Sequence, residues 1–190
     1  MIESLINING YYTIAKPIVR HHYTKPLIKL EYEAIPDTIY INYLFFSDGI
    51  FLRHFHIDYC SDPKCIPEKF KELVGETISN KYFYGDWGGY TVCGDTIITQ
   101  YIHRYRSLND GWRAWETHFR IIDRNTIIEF YSKPLHRRSK SDLERWNKYN
   151  LDRKYLPAVF IPTETIPNSD CWLKYKQWFW MNDSIRIENM

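Results

Sequence analysis

Three segments of the chain share one pattern of apolar and polar positions: an apolar run, a short polar turn, and a second run rich in β-forming residues. They cover residues 40–52, 87–99 and 119–130. Because Asp, Gly and Asn accept the positive φ that tight turns require, each segment predicts a β-hairpin. The turn residues are Asp48-Gly49, Gly94-Asp95 and Asp123-Arg124-Asn125. Three hairpins in series predict an antiparallel meander that closes into a barrel.

The segments around these hairpins predict further strands. Residues 9–14 predict a first strand, followed by a connection that contains Pro17, His21, His22 and Pro26. Residues 27–32 predict another strand, which Ile35-Pro36-Asp37 would end in a turn. Residues 112–122 predict a long strand that leads into the third hairpin. The count comes to about eight strands, as in small closed barrels.

Two short helices complete the prediction. Pro67 and Gly75 suit the first position and the end of a helix between the first two hairpins. Ser141 is a suitable N-cap for a second helix over residues 142–149. The predicted fold is therefore mostly β, a barrel with one or two short helices.

Composition supports a single β-rich domain over residues 1–190. Residues 133–190 form a basic and aromatic C-terminal extension, which we expect to pack on the barrel. The net charge of +2 argues against a general polyanion binder, so we expect no nucleic-acid partner. We also expect no transmembrane segment, because no apolar run approaches the roughly 18 residues that span a bilayer.

The first ten residues lack the positively charged start of a signal peptide. We therefore expect a cytoplasmic protein if the sequence is complete, and a periplasmic or cell-envelope protein if an export signal is missing. Cys60 and Cys65 flank a four-residue segment containing Pro63. They would close a small disulfide loop in an oxidising compartment, or else remain two free thiols.

Several short motifs together resemble a known group of proteins. They are Asn9-Gly10-Tyr11-Tyr12, the turns around Asp48-Gly49 and Gly94-Asp95, residues 123–127, and Pro167-Asn168-Ser169-Asp170-Cys171-Trp172. This set is similar to the small lipocalin-like β-barrel proteins of Bacteroides-type bacteria. The resemblance implies a lipocalin-like (calycin-type) barrel that binds a ligand or a partner. It implies no catalytic residues.

One set of side chains has metal-ligand chemistry. His54, His56 and Asp58 alternate along a strand and share a face, so two imidazoles and a carboxylate would converge on a divalent ion. The other face carries Phe51, Phe55 and Ile57 and is the more apolar. We expect that face to point inward and the histidines to face solvent, and hence no metal and no cofactor.

Glu116 and His118 are the candidate acid–base pair if the protein is an enzyme. They share one face of the strand at residues 112–122. The other face carries Trp115, Thr117 and Phe119 and makes the better core. The favoured interpretation is an exposed polar stripe, and catalysis is the less favoured alternative.

The predicted function is non-enzymatic binding of a small, partly apolar ligand inside the barrel. Small closed barrels either fill their interior with side chains or hold one small ligand. The expected ligand-binding residues are Trp87, Tyr90, Trp115 and Phe119. The alternative is a protein-interaction module that uses the aromatic and basic C-terminal surface.

Overall fold

A computed structural model describes residues 5–24, 31–56, 85–104, 112–135 and 155–164, together with residues 144, 146–148, 166, 167 and 169. The side chains of residues 18–24, 31–37, 54–56, 104 and 112 are not described. The predicted helix over residues 67–75 lies outside the described residues, as do Asp58 and the pair Cys60 and Cys65. Most of the basic C-terminal extension lies outside them as well.

Eight strands form the described part of the molecule. They are β1 (Gly10–Thr24), β2 (Glu31–Phe45), β3 (Ile50–His56), β4 (Asp86–Cys93), β5 (Thr96–Arg104), β6 (Trp112–Asp123), β7 (Thr126–Pro134) and β8 (Pro157–Pro162). Each strand pairs antiparallel with the next, and β8 pairs with β1. The closed eight-strand meander confirms the predicted fold class.

Strands β1 and β2 are longer than the sequence pattern predicts. The ladder between them extends from Tyr12 opposite Tyr43 to Thr24 opposite Glu31. Pro17 and Pro36 lie within it, so the predicted connection after residue 14 and the predicted turn at residues 35–37 are wrong. Within the described ladders, both prolines lie where their strand pairs on one side only. A proline is tolerated there because its missing N–H can face the unpaired edge.

Three tight turns join β2 to β3, β4 to β5 and β6 to β7, and all lie at one end of the barrel, here called the turn end. Gly49 and Gly94 adopt positive φ values of 83° and 59°. Asp48 Oδ1 accepts a hydrogen bond from the Ile50 amide at 3.2 Å, and Asp123 Oδ1 accepts one from the Asn125 amide at 2.7 Å. These carboxylates therefore hold turns, the role that their neighbouring Gly and Asn residues predict.

Aromatic rings fill the barrel near the turn end. The Tyr43 ring meets the Phe119 ring edge-on at 4.8 Å between centroids, and Phe45 lies 5.3 Å from Phe51. All four side chains are buried. The inward-facing core comprises Ile6, Tyr12, Ile14, Ile41, Tyr43, Phe45, Phe51, Ile97, Tyr101, Phe119, Ile127 and Ala158.

Residues 5–9, just before β1, close the turn end. Ile6 is fully buried and joins the core cluster. The Asn7 amide donates to Tyr12 Oη at 2.9 Å, and that hydroxyl donates to the Arg124 carbonyl at 2.6 Å. Ile6 therefore fills the core at the turn end, away from the other end of the barrel. We call that other end the far end; there β4 begins at Asp86 and β5 ends at Arg104.

A short helical stretch includes Glu144 and residues 146–148, within the helix predicted over residues 142–149. Its Trp146 ring meets the Trp115 ring edge-on at 5.1 Å. In the part of the chain that the structure describes, no helix is both long and apolar enough to cross a membrane.

Candidate functional site: a polar chain inside the barrel

The interior changes from apolar to polar toward the far end. Arg53 follows Phe51 by two positions on β3, so both side chains point inward. Asp86 of β4 lies directly opposite Arg53, and its side chain shares that interior face. His103 of β5 reaches the same point through its contact with Asp86. Three neighbouring strands thus bring an arginine, a carboxylate and an imidazole together inside the barrel.

Asp86 lies between two partners of different kind. His103 Nδ1 is 2.7 Å from Asp86 Oδ1, a hydrogen bond, whereas Arg53 Nη1 is 3.8 Å from Asp86 Oδ2, an ion pair without a hydrogen bond. An ionised carboxylate only accepts hydrogen bonds, so His103 Nδ1 is the donor to an ionised Asp86. The Asp86 side chain is 7% exposed, and those of Arg53 and His103 are 18% and 30% exposed. The imidazole is therefore the most accessible of the three groups.

Arg53 continues the contacts across the interior. Its Nη1 donates to Tyr101 Oη at 2.8 Å, and Tyr101 Oη lies 3.2 Å from Thr117 Oγ1. Thr117 Oγ1 lies 3.0 Å from Ser132 Oγ on β7. The whole series, His103, Asp86, Arg53, Tyr101, Thr117 and Ser132, is called the polar chain below. It links strands β3 to β7 through their inward-facing side chains.

A second buried carboxylate lies beside the polar chain. Tyr43 Oη donates to Glu129 Oε2 at 3.0 Å, and the Glu129 residue is 3% exposed. A β-bulge explains how β7 points both Glu129 and Ser132 inward, although they are three positions apart. Phe119 pairs with Glu129 and His118 with Tyr131, so Phe130 is the extra residue that resets the alternation.

Burial and charge set the protonation states of these groups. Burial raises the pKa of Tyr43, and the Glu129 carboxylate raises it further. Burial also raises the pKa of Tyr101, although Arg53 and the Thr117 hydrogen bond oppose that shift. For Arg53, burial opposes the charged form, but Tyr101, Tyr43, Asp86 and Glu129 outweigh it and raise the pKa. At neutral pH the tyrosine hydroxyls are therefore protonated and the guanidinium is charged.

Among the described residues, Asp86 Oδ2 and Trp115 Nε1 belong to the buried polar atoms that make no hydrogen bond, and both side chains point inward. Trp115 lies opposite Tyr101 in the β5–β6 ladder and packs against the core. One atom is an acceptor and the other a donor. Buried polar atoms without protein partners are uncommon in native proteins, because each one costs free energy.

The four expected ligand-binding residues do not share one face. Phe119 belongs to the core, and Tyr90 and Trp115 pack against it. Trp87 has the opposite parity to Tyr90 on β4, so it lies on the outer face of the barrel. There it is buried and stacks on Phe46, with ring centroids 6.2 Å apart and planes 15° apart. The ligand-binding role of all four remains a prediction, and the fold gathers only three of them inside.

Glu116 and His118 meet on the outer face of β6. His118 Nε2 lies 3.0 Å from Glu116 Oε1, and Lys133 Nζ lies 2.9 Å from the same oxygen. Gln100 Nε2 donates to Glu116 Oε2 at 2.8 Å. Burial opposes the charged carboxylate, but the hydrogen bonds from Lys133, Gln100 and His118 outweigh it and lower the pKa of Glu116. With both oxygens bonded and a lowered pKa, this carboxylate suits an ion-pair network that joins β5, β6 and β7.

The metal-ligand candidates fall at the edge of the described structure. His54 and His56 lie in β3, opposite Asn42 and Tyr40 of β2, and Asp58 lies outside the described residues. The absence of a metal there stays a prediction. Among the residues that the structure describes, no group of three or more His, Cys, Asp or Glu side chains has an arrangement that would hold a metal ion.

Sequence reasoning missed Arg53, Asp86 and His103 as a group. The available signal was Arg53, which shares the inward face of β3 with Phe51. A charged residue on the apolar face of a strand needs a buried partner. That partner comes from strands distant in sequence, so strand alternation alone does not reveal it.

Comparisons with known proteins do not assign this chain to a family. No protein-family model, no curated protein and no solved structure matches the chain.

Proposed function

We propose that this protein binds a small, partly apolar ligand in the far-end half of the barrel interior, without catalysing a reaction on it. The observation that carries the proposal is the pair of buried atoms without hydrogen bonds, Trp115 Nε1 and Asp86 Oδ2. Leaving such a group unsatisfied costs about 1–3 kcal/mol. A ligand that offers an acceptor to one atom and a donor to the other would remove that cost.

The surrounding residues support a ligand with both polar and apolar parts. The polar chain supplies hydroxyl, guanidinium and imidazole groups near the far end. The rings of Phe51, Tyr101 and Phe119 lie on the side nearer the turn end, with Phe51 and Tyr101 centroids 5.7 Å apart. Sites for small molecules are commonly built this way, from apolar walls and a few polar groups that fix orientation.

Entry from the far end agrees with the accessibility of the polar chain. Ile6 blocks the turn end and is fully buried. Arg53 and His103 keep part of their side-chain surface exposed, whereas Asp86 behind them is almost fully covered. A ligand would therefore pass the imidazole and guanidinium before it reached Asp86.

Native mass spectrometry of the protein purified from its own host tests the proposal. We expect a co-purifying small molecule that is lost on denaturation and is weakly retained by Trp115→Phe, which removes the indole donor. Trp87→Phe is the matched control, because Trp87 lies on the outer face, and it should retain the molecule as the wild type does. A wild-type protein that carries no molecule, and takes none up from a lipid and metabolite extract of the host, would contradict the proposal.

A further inference from the structure

The Asp86 carboxylate limits what kind of polar group the ligand can carry. Its Oδ1 is bonded to His103 Nδ1 at 2.7 Å, while Oδ2 is buried and makes no hydrogen bond. Arg53 Nη1 lies 3.8 Å from Oδ2, which is too far for a hydrogen bond, and donates to Tyr101 Oη at 2.8 Å instead. A charged oxygen that is covered by protein is a strong acceptor. The occupant of this position should therefore be a hydrogen-bond donor.

The neighbouring guanidinium and the cost of burying a charge disfavour a charged donor at Asp86 Oδ2. The Arg53 guanidinium already compensates the carboxylate at 3.8 Å. An ammonium group bonded to Oδ2 would stand beside that guanidinium in a medium of low dielectric, where like charges repel strongly. A carboxylate on the ligand would meet two buried acidic residues, Asp86 and Glu129, and would offer no donor to Oδ2. An uncharged hydroxyl avoids both conflicts, since it donates without adding charge.

We propose that the ligand presents an uncharged hydroxyl group to Asp86 Oδ2, so that the site selects neutral, hydroxyl-bearing amphipathic molecules over their carboxylate and ammonium counterparts. This selectivity rests on the proposed binding function. Trp115 Nε1, the other buried atom without a hydrogen bond, can donate to a hydroxyl or carboxylate oxygen but not to an ammonium group, so it favours a hydroxyl over an ammonium.

The test compares three probes with the same straight alkyl chain: 1-octanol, octanoate and octylammonium. Each is titrated into the full-length wild-type protein by isothermal titration calorimetry at neutral pH. We expect 1-octanol to bind roughly tenfold or more tightly than either charged probe, the difference expected of one hydrogen bond to a charged group.

A variant at the carboxylate tests the cause of the preference. Asp86→Asn removes one buried negative charge and leaves Arg53 less compensated, so the preference should move toward octanoate. Asp95→Asn is the matched control, because Asp95 is a turn-end carboxylate whose side chain is 70% exposed. It should keep the wild-type ranking of the three probes. Circular dichroism establishes that each variant is folded, and if Asp86→Asn does not fold, the wild-type ranking alone decides.

The outcomes separate this inference from the proposed function. If octanoate or octylammonium binds the wild type as tightly as 1-octanol, the inference is wrong and the binding function stands. If Asp86→Asn folds and keeps the wild-type ranking, the inference is also wrong. If none of the three probes binds, the inference is overturned, and the co-purification experiment then decides whether the binding function falls with it.

Discussion

Single side chains explain how this barrel tolerates charge in its interior. Asp86 and Glu129 are almost fully buried and Arg53 is partly buried, and an isolated charge in such a place would be costly. Arg53 has Asp86 beside it and Tyr101 as a hydrogen-bond acceptor, and Glu129 accepts from Tyr43. The tyrosines can stabilise these charges because burial raises the pKa of both and keeps their hydroxyls protonated.

Glu116 on the outer face is likewise a carboxylate held by hydrogen bonds, and it makes the stability of the protein depend on pH. The pKa of Glu116 is lowered from its ordinary value of 4.5, because the hydrogen bonds from Lys133, Gln100 and His118 outweigh burial. Because the pKa of Glu116 is lower in the folded than in the unfolded protein, the ionised carboxylate stabilises the fold at pH values above the ordinary pKa. This stabilisation is lost as the pH falls from about 4.5 through the lower pKa of the folded state.

We therefore expect Glu116→Gln to flatten the acid side of the stability curve. The measurement is the free energy of unfolding in urea, followed from neutral pH to below the ordinary glutamate pKa. Glu144→Gln is the control, since Glu144 is exposed on the helical stretch. The account of Glu116 fails if the Glu116→Gln and wild-type curves run parallel through the acid range.

Among the strands and turns, local sequence predicts some features well and misses others. The three turns could be predicted because Gly49, Gly94, Asp48 and Asp123 act on their own immediate backbone. The length of β1 and β2 could not, because Pro17 and Pro36 read as breaks unless the one-sided pairing of those strands is known. Strand β8 was missed for a similar reason, since it is short and begins and ends with proline.

The candidate site was less predictable than the fold. Strand alternation placed Phe119 and Trp115 on the inward face of β6 correctly, because period-two patterning is local. It did not place Trp87. The outer face of β4 is buried at this position, so it carries a large apolar residue as an inward face would. The contact between Asp86 and His103 depends on the register of β4 against β5, which no single segment encodes.

The turn between β4 and β5 offers a clean test of backbone conformation. Gly94 has φ of 59°, and a Cβ built there would meet no atom within 4 Å. Gly94→Ala should therefore destabilise the protein only through the left-handed conformation, by about 1–2 kcal/mol. Gly94→Asn should cost less, because Asn tolerates that conformation better. Urea unfolding measures both, and equal stability of the alanine variant and the wild type would contradict the assigned turn.

The barrel as a whole divides its interior into two parts with different chemistry. Near the turn end, residues 5–9 and a cluster of aromatic rings leave the interior closed and apolar. Near the far end, the polar chain crosses the interior, and two buried polar atoms make no hydrogen bond. The described interior is therefore apolar at the turn end and polar at the far end. The proposed function follows from this difference.

The indole resonances of the seven tryptophans test this account most directly. In a ¹⁵N–¹H correlation spectrum, Trp115→Phe and Trp87→Phe assign the two signals of interest by their disappearance. On titration with 1-octanol, the account predicts that the Trp115 Nε1–H signal shifts in a saturable way, because that donor gains a hydrogen bond inside the far end. The Trp87 signal should stay in place, since Trp87 lies on the outer face. A saturable shift of Trp87 with Trp115 unchanged would contradict binding inside the barrel, and no shift of either signal would contradict binding of 1-octanol there.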